Sequence, residues 1–120
     1  MAARRLLIVE DEFLIRMTLA EVLTDDGFEV LEAGDADEAL ATLEREPEVA
    51  IMLTDIQLPG LLDGRALAMK ARQTRPDLPV IFMSGRPDPS AANTALDLHV
   101  NKPYLPSTVS AAVRRLIGDG

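Results

Sequence analysis

Three acidic residues in a row, Glu10-Asp11-Glu12, follow the apolar run Leu6-Leu7-Ile8-Val9, and Thr54-Asp55 closes the run Val49-Ala50-Ile51-Met52-Leu53. Ser84-Gly85 follows Val80-Ile81-Phe82-Met83, and Asn101-Lys102-Pro103 follows the weaker run Leu98-His99-Val100. Alone, Asp11, Asp55 or Lys102 is an ordinary solvated loop charge, Ser84-Gly85 is an ordinary turn, and Glu12 reads as a cap for the next helix. Together they put several carboxylates, a hydroxyl and a lysine at the ends of separate apolar runs. Carboxylates gathered on one rim repel, so some must take up protons or share a cation. A hard divalent ion with oxygen ligands and retained water solves this, and Mg²⁺ suits it. An ionised Asp beside a metal and a lysine points to covalent phosphoryl chemistry, in which the carboxylate attacks phosphorus and forms an aspartyl-phosphate. Positioning and charge neutralisation dominate such a transfer. The cation would hold one phosphate oxygen, Lys102 a second and the Ser84 hydroxyl a third.

Placing these groups on one rim requires a parallel sheet. The runs at 6–9, 49–53 and 80–83 are apolar at successive positions, as strands covered on both faces must be. The run from Phe28 to Leu31 contains Glu29 and belongs nearer a sheet edge. Between the runs lie helical patterns. Ile15, Leu19, Val22 and Leu23 give the first helix one apolar face. Asp35 and Glu38 have capping-box spacing ahead of Ala39, Leu40 and Leu43. Gly64 to Arg75 stops before Pro76, a fourth helix fits between Ser90 and Leu98, and a fifth runs from Pro106 to Ile117. Five strands alternating with five helices predict one α/β domain with right-handed crossovers. In such a sheet, ligands bind at the carboxyl ends of the strands.

The 120-residue composition agrees with that reading and excludes others. Apolar residues make up 48% of the chain, enough for a core rather than a disordered acidic tail. With 12 Lys+Arg against 20 Asp+Glu, the net charge of −8 opposes nucleic-acid binding, which needs a basic surface. The absence of Cys rules out disulfides, thiolate metal sites and a cysteine nucleophile. No apolar run approaches the roughly 18 residues of a membrane span, and the N-terminal apolar stretch is too short for a signal peptide. A cytoplasmic location with no membrane partner is expected.

Ile-Val-Glu10-Asp11-Glu12, Leu-Thr-Asp55-Ile-Gln-Leu-Pro59-Gly60, Phe-Met-Ser84-Gly85 and Asn-Lys102-Pro103-Tyr104 resemble the receiver domain of two-component response regulators, in order and over essentially the whole chain. The resemblance implies a flavodoxin-like, doubly wound (βα)5 sandwich with strand order 2-1-3-4-5. It implies Asp55 as phosphoacceptor and Mg²⁺ as cofactor. Asp11 and Asp55 would ligate the ion, with the main-chain carbonyl of Gln57, and Glu10 would act beside them through water. Ser84 and Lys102 would contact the phosphoryl group, and the Lys102–Pro103 peptide would be cis. Partners would be a sensor histidine kinase or a histidine phosphotransferase. Leu14 and Met17, outside the core stripe of the first helix, would face that partner. Gln57 and Arg86 would flank the path of water to phosphorus and tune dephosphorylation, although Arg86 reads equally as a surface arginine. The domain would be a switch or relay that catalyses only its own phosphorylation and dephosphorylation.

Some positions depart from the family pattern. The segment Leu58-Pro59-Gly60-Leu61-Leu62-Asp63-Gly64 is one residue longer than the common form, as in some stand-alone receivers and receivers of hybrid kinases. His99 stands three before Lys102, where many members carry Tyr or Phe that moves inward on activation; it reads either as that switch or as a packed strand residue. The 17 residues between Ser84 and Lys102 are several fewer than usual and include Pro87 and Pro89, which favour an extended loop. Three alternatives stay open: a receiver cut from a larger hybrid kinase or regulator, a docking module, and a haloacid-dehalogenase-type phosphohydrolase. The last needs a second Asp two residues after its nucleophile, where this chain has Gln57. Residues 1–120 are read as one domain with no output domain, so output would be protein contact or onward phosphotransfer.

The short fourth helix also bears on assembly. Nine residues span roughly 13 Å at about 1.5 Å per residue, a poor base for the roughly 1,200–2,000 Å² that stable interfaces bury. The net charge adds repulsion at low salt. The protein is expected to sediment as a monomer at micromolar concentration, with or without Mg²⁺ and a phosphoryl mimic. A shift to dimer on adding the mimic contradicts this.

Overall fold

A computed structural model describes residues 3–86 and 94–118. Its strands are β1 (Arg5–Val9), β2 (Glu29–Ala33), β3 (Val49–Asp55), β4 (Val80–Ser84) and β5 (Asp97–Asn101). Its helices are α1 (Phe13–Asp25), α2 (Ala36–Arg45), α3 (Gly64–Ala71) and α4 (Pro106–Ile117). All strand pairs are parallel, in the order β2-β1-β3-β4-β5. This is the order expected of a flavodoxin-like sheet, and Glu29 does lie on an edge strand.

The strands are continuously apolar because side chains alternate between two buried layers. Leu6, Ile8, Ile51, Leu53, Ile81 and Met83 pack with Leu19 and Leu23 of α1 and with Val109 and Val113 of α4. Leu7, Val9, Met52, Val80 and Phe82 face the other way, onto Ala39 and Leu43 of α2 and Leu67 and Ala68 of α3. Ile15 and Val22 of the expected α1 stripe are only half-buried, and Ala20 takes the third buried place.

Local chemistry sets the helix ends. Asp35 accepts from the Glu38 N–H at 2.8 Å, and Glu38 reaches back to the Gly34 N–H at 3.3 Å, closing the second helix's box one residue early. Asp63 caps α3 through the Ala66 N–H at 2.8 Å. Glu12 stands at the N-cap position of α1 without a side-chain cap bond, since its longer side chain does not suit the short local bond that Asp or Ser makes. Two expected helices need correction. The one read over 64–75 ends at Ala71, because the following N–H groups turn to the tighter bonds Gln73→Lys70 and Thr74→Ala71 ahead of Pro76. For the helix between Ser90 and Leu98, residues 87–93, with both prolines, lie outside the described residues. Within the described part, Thr94 to Leu96 are non-helical and Asp97 and Leu98 belong to β5. There the Thr94 hydroxyl accepts from the Leu96 and Asp97 N–H groups at 3.1 and 2.9 Å, so the chain turns directly into the strand.

The loop from Asp55 to α3 closes tightly on the strand it leaves. The Gly64 N–H donates to Ile56 O at 2.7 Å. A Cβ built on Gly64 would stand 2.0 Å from Asp55 O and 2.9 Å from Ile56 Cα. Only glycine permits that approach, because the obstruction is backbone. Gly64→Ala is therefore expected to lower unfolding free energy in urea by about 3 kcal/mol. Gly34→Ala, where the nearest atom is an arginine tip at 3.4 Å, should cost well under half as much. Equal costs would show that the close approach is not what Gly64 provides.

Candidate functional site

The strand order sets the carboxyl ends of β1 and β3 side by side, with β4 and β5 next in line. Glu10, one residue past β1, is fully buried, and Asp55, the last residue of β3, is 4% exposed. Lys102 reaches both: its Nζ donates to Glu10 Oε1 at 3.0 Å and lies 2.7 Å from Asp55 Oδ1. Asp55 Oδ1 is close enough for the ion pair but not aligned as a hydrogen bond, so this buried oxygen keeps unused acceptor capacity. Asp11 is exposed at the mouth, and one carboxylate oxygen each from Glu10, Asp11 and Asp55 lie within 4.8 Å of one another.

Backbone bonds hold these groups in register. The Glu10 N–H donates to Ala33 O at 3.1 Å, the Ile56 N–H to Met83 O at 2.9 Å, and the Lys102 N–H to Ser84 O at 2.7 Å. The Lys102–Pro103 peptide is cis, as expected. Each strand end is thus stitched to its neighbour within a residue of a site side chain.

Electrostatics separates the two buried carboxylates. Burial, and next the hydrogen bond with Glu10, push Asp55 up to about 8, against the pull of Lys102. Burial works on Glu10 in the same sense, but hydrogen bonds with Asp55 and Lys102 outweigh it and hold Glu10 below its ordinary value. Burial lowers Lys102, but its close contacts with the Asp55 and Glu10 carboxylates more than restore it, so it stays charged. With no cation present, the carboxylate pair keeps one proton at neutral pH, and Lys102 balances the remaining charge. Three carboxylates with oxygen donors only, one of them holding an unused buried acceptor, fit a hard divalent cation.

The other sequence candidates sit around this centre. Ser84, half-buried at the end of β4, is turned onto the Arg86 backbone: its hydroxyl donates to Arg86 O and accepts from the Arg86 N–H, both at 3.1 Å. Arg86 and Gln57 are exposed. His99 is half-buried inside β5, paired in register with Phe82 and stacked on its ring at 5.2 Å between centroids. That packing accounts for its place in the strand. Leu14 and Met17 are exposed on α1, with Phe13 beside them. Leu14, Ile15, Thr18 and Leu19 form one wall of a groove of about 710 Å³, and Lys102, Tyr104 and Pro106 line it too. Sequence reasoning missed the backbone role of Gly64, whose only signal was the Asp-Gly pair opening α3.

A family model described as the response regulator receiver domain matches residues 6–114. The chain is 33% identical over 121 residues to the phosphate regulon transcriptional regulatory protein PhoB of Klebsiella pneumoniae, covering 96% of this chain and 52% of that protein. It spans about half the length of the curated relatives it matches. The receiver domain of the hybrid histidine kinase CckA is 34% identical and superposes with a TM-score of 0.80 over 93% of this chain and 98% of its own. The chemotaxis protein CheY4 of Vibrio cholerae shares the fold, with a TM-score of 0.86 at 23% identity over 97% and 100% of the two chains.

The raised Asp55 has a measurable consequence. Unfolded, this carboxyl ionises near 3.9; folded, it holds its proton to about 8. Between those values the unfolded state binds fewer protons, so stability falls as pH rises. Glu10, held below its ordinary value, works in the opposite sense. Without divalent cation, Tm is expected to drop between pH 5 and pH 8, at about 4 °C per kcal/mol for a domain near this size. Asp55→Asn should flatten that slope and melt above the parent at pH 8. A parent-like slope in the variant would falsify the assignment of the effect to Asp55.

Proposed function

This chain belongs to the response regulator receiver domain family, and from that premise we propose that it takes a phosphoryl group from a phosphohistidine of a sensor histidine kinase or histidine phosphotransferase onto Asp55, with Mg²⁺ required. The family is one of phosphorylation-dependent switches in two-component signalling, not of metabolic enzymes. The observation that carries the proposal is the meeting of Asp55, Glu10 and Lys102 at the carboxyl end of the central strand. A structural ion pair needs one carboxylate, whereas this lysine faces two buried ones with a third at the mouth.

Each residue has a separate task in this reading. Asp55 supplies the attacking oxygen, once its proton has gone. Asp11, Asp55 and the Gln57 carbonyl would hold Mg²⁺, with Glu10 beside them; bound there, the ion offsets the charge that builds on the phosphoryl oxygens. Lys102 pairs with one phosphoryl oxygen at the cost of its present contact with Asp55. Ser84 exchanges its bonds to the Arg86 backbone for one to another oxygen, which carries the state of the site into the end of β4. Such exchange shifts a pre-existing equilibrium between surfaces. Gln57 and Arg86, both exposed at the rim, set how readily water reaches phosphorus. His99, packed on Phe82, follows the movement of β4 and β5. Among the described residues no helix is long and apolar enough to cross a membrane, and a cytoplasmic site of action suits a kinase partner.

The partner docks on α1. Leu14 is 69% exposed and stands on the lip of the groove beside Lys102, so a helix laid there brings its histidine to the rim. Met17, at 36%, extends the same face, and methionine suits an adaptable contact. Asp55→Asn is expected to abolish acid-stable, base-labile label transfer from a phosphorylated histidine partner while the circular dichroism spectrum stays native; full labelling of the variant sinks the assignment. Leu14→Ser should slow transfer from the protein partner about tenfold, the worth of roughly 1.4 kcal/mol at an interface anchor, and leave phosphorylation by a small-molecule donor unchanged. Equal slowing with both donors would place the damage at the site instead of the docking face.

A further inference from the structure

Arg16 lies one turn into α1, yet its side chain turns back to the end of β1. Nη1 donates to the main-chain carbonyl of Glu10 at 2.7 Å, and Nε to Glu32 Oε1, just past the middle of β2, at 3.1 Å. The guanidinium lies over the Phe13 ring, 5.5 Å from its centroid, and the side chain is 18% exposed. The Glu10 N–H is already committed to Ala33 O. Both peptide units flanking Glu10 are therefore tied, the second of them by Arg16 alone among the contacts described.

That second unit joins Glu10 to Asp11. Rotating it would swing the Asp11 side chain about the strand axis and shift the Glu10 carboxylate against Lys102. β1 has ended here, so the ladder no longer restrains this peptide, and a charged donor takes over from it. A planar fork suits the task, since one guanidinium serves the carbonyl and Glu32 at once.

We infer that Arg16 is a positioning residue for the cation site: by holding the Glu10–Asp11 peptide it sets the geometry in which those two carboxylates meet Asp55. The inference rests on the reading of Glu10, Asp11 and Asp55 as a Mg²⁺ site. It makes a prediction opposite in sign to simple electrostatics. Arg16→Gln removes a positive charge from beside an acidic cluster, and on charge alone the variant would bind a divalent cation more tightly. Loss of positioning weakens binding instead.

The test is calorimetric titration of the full chain with Mg²⁺ at pH 8, comparing parent, Arg16→Gln and Asp11→Ala. Partners one layer behind metal ligands are commonly worth 10–100-fold in affinity, and Arg16→Gln is expected to weaken Mg²⁺ about tenfold. Binding equal to or tighter than the parent's overturns the inference while leaving the site intact. A parent that does not bind, or an Asp11→Ala variant that binds like the parent, overturns the site reading and this inference with it. Should Arg16→Gln fail to fold, Arg16→Lys is read in the same way. It keeps the charge but cannot serve the carbonyl and Glu32 together, so weaker binding supports positioning and parent-like binding overturns it.

Discussion

Everything at the rim depends on one ammonium group. Lys102 comes from the edge strand, two strands away from Asp55, and strands lie about 4.8 Å apart. Its four-carbon stem covers most of the roughly 10 Å of sheet, and the Asp55 side chain on β3 and the longer Glu10 side chain after β1 lean in to meet it. A shorter cation would stop at β4. The pairing is possible only in the order β2-β1-β3-β4-β5, which brings the ends of β1 and β3 together and leaves β4, with its small Ser84, as the strand the lysine must cross. Two carboxylates buried without a cation would each demand a proton. With the lysine in place the pair needs only one.

The rest of the architecture can be understood as support for that contact. Apolar strands bury both faces of the sheet, so among the described residues the charged groups of its central strands gather at the strand ends, and the one buried polar residue ahead of Asp55, Thr54, turns its hydroxyl onto Asp55 O. Tight backbone bonds at those ends, from Glu10 to Ala33, Ile56 to Met83 and Lys102 to Ser84, keep the side chains in register. Gly64 lets the loop after Asp55 fold flat against the strand it has just left. At the opposite pole Arg72 donates to Leu78 O and to Asp97, tying the start of β5 to α3. The strand that carries Lys102 is thereby anchored at its far end, where it has a neighbour on one side only.

Much of this was legible in the residues, and the failures have physical causes. Strand positions could be read because a strand covered on both faces has no polar residue inside it, and Glu29 marked the edge for the same reason. The Asp35 and Asp63 caps are short-range chemistry and follow from type and spacing. Helix ends governed by what lies beyond them were less legible: after Ala71 the chain tightens into the turn bonds of Gln73 and Thr74, which a count of apolar positions does not contain. Glu12 does occupy the cap position of α1, but its longer side chain does not close the bond that an Asp or Ser makes there. His99 admitted two readings until its stacking on Phe82 showed the strand environment. Gly64 and Arg16 act through backbone atoms of distant residues, and no side-chain pattern announces that.

On the proposed reading, the same features limit how the switch can work. Moving a two-state equilibrium from 1:99 to 99:1 takes about 5.5 kcal/mol of differential interaction. A charge-assisted hydrogen bond supplies about 1.5–3 kcal/mol net, so neither Lys102 nor Ser84 can throw the switch alone. Each also gives up something first: Lys102 its contact with Asp55, Ser84 its two bonds to the Arg86 backbone. The site therefore has to act as a unit, in which the cation, Lys102 and Ser84 each supply part of the difference and none is sufficient. Because Glu10, Asp55 and Lys102 already touch in the resting state, a phosphoryl group cannot engage one of them without disturbing the others, and that shared contact is what couples their contributions.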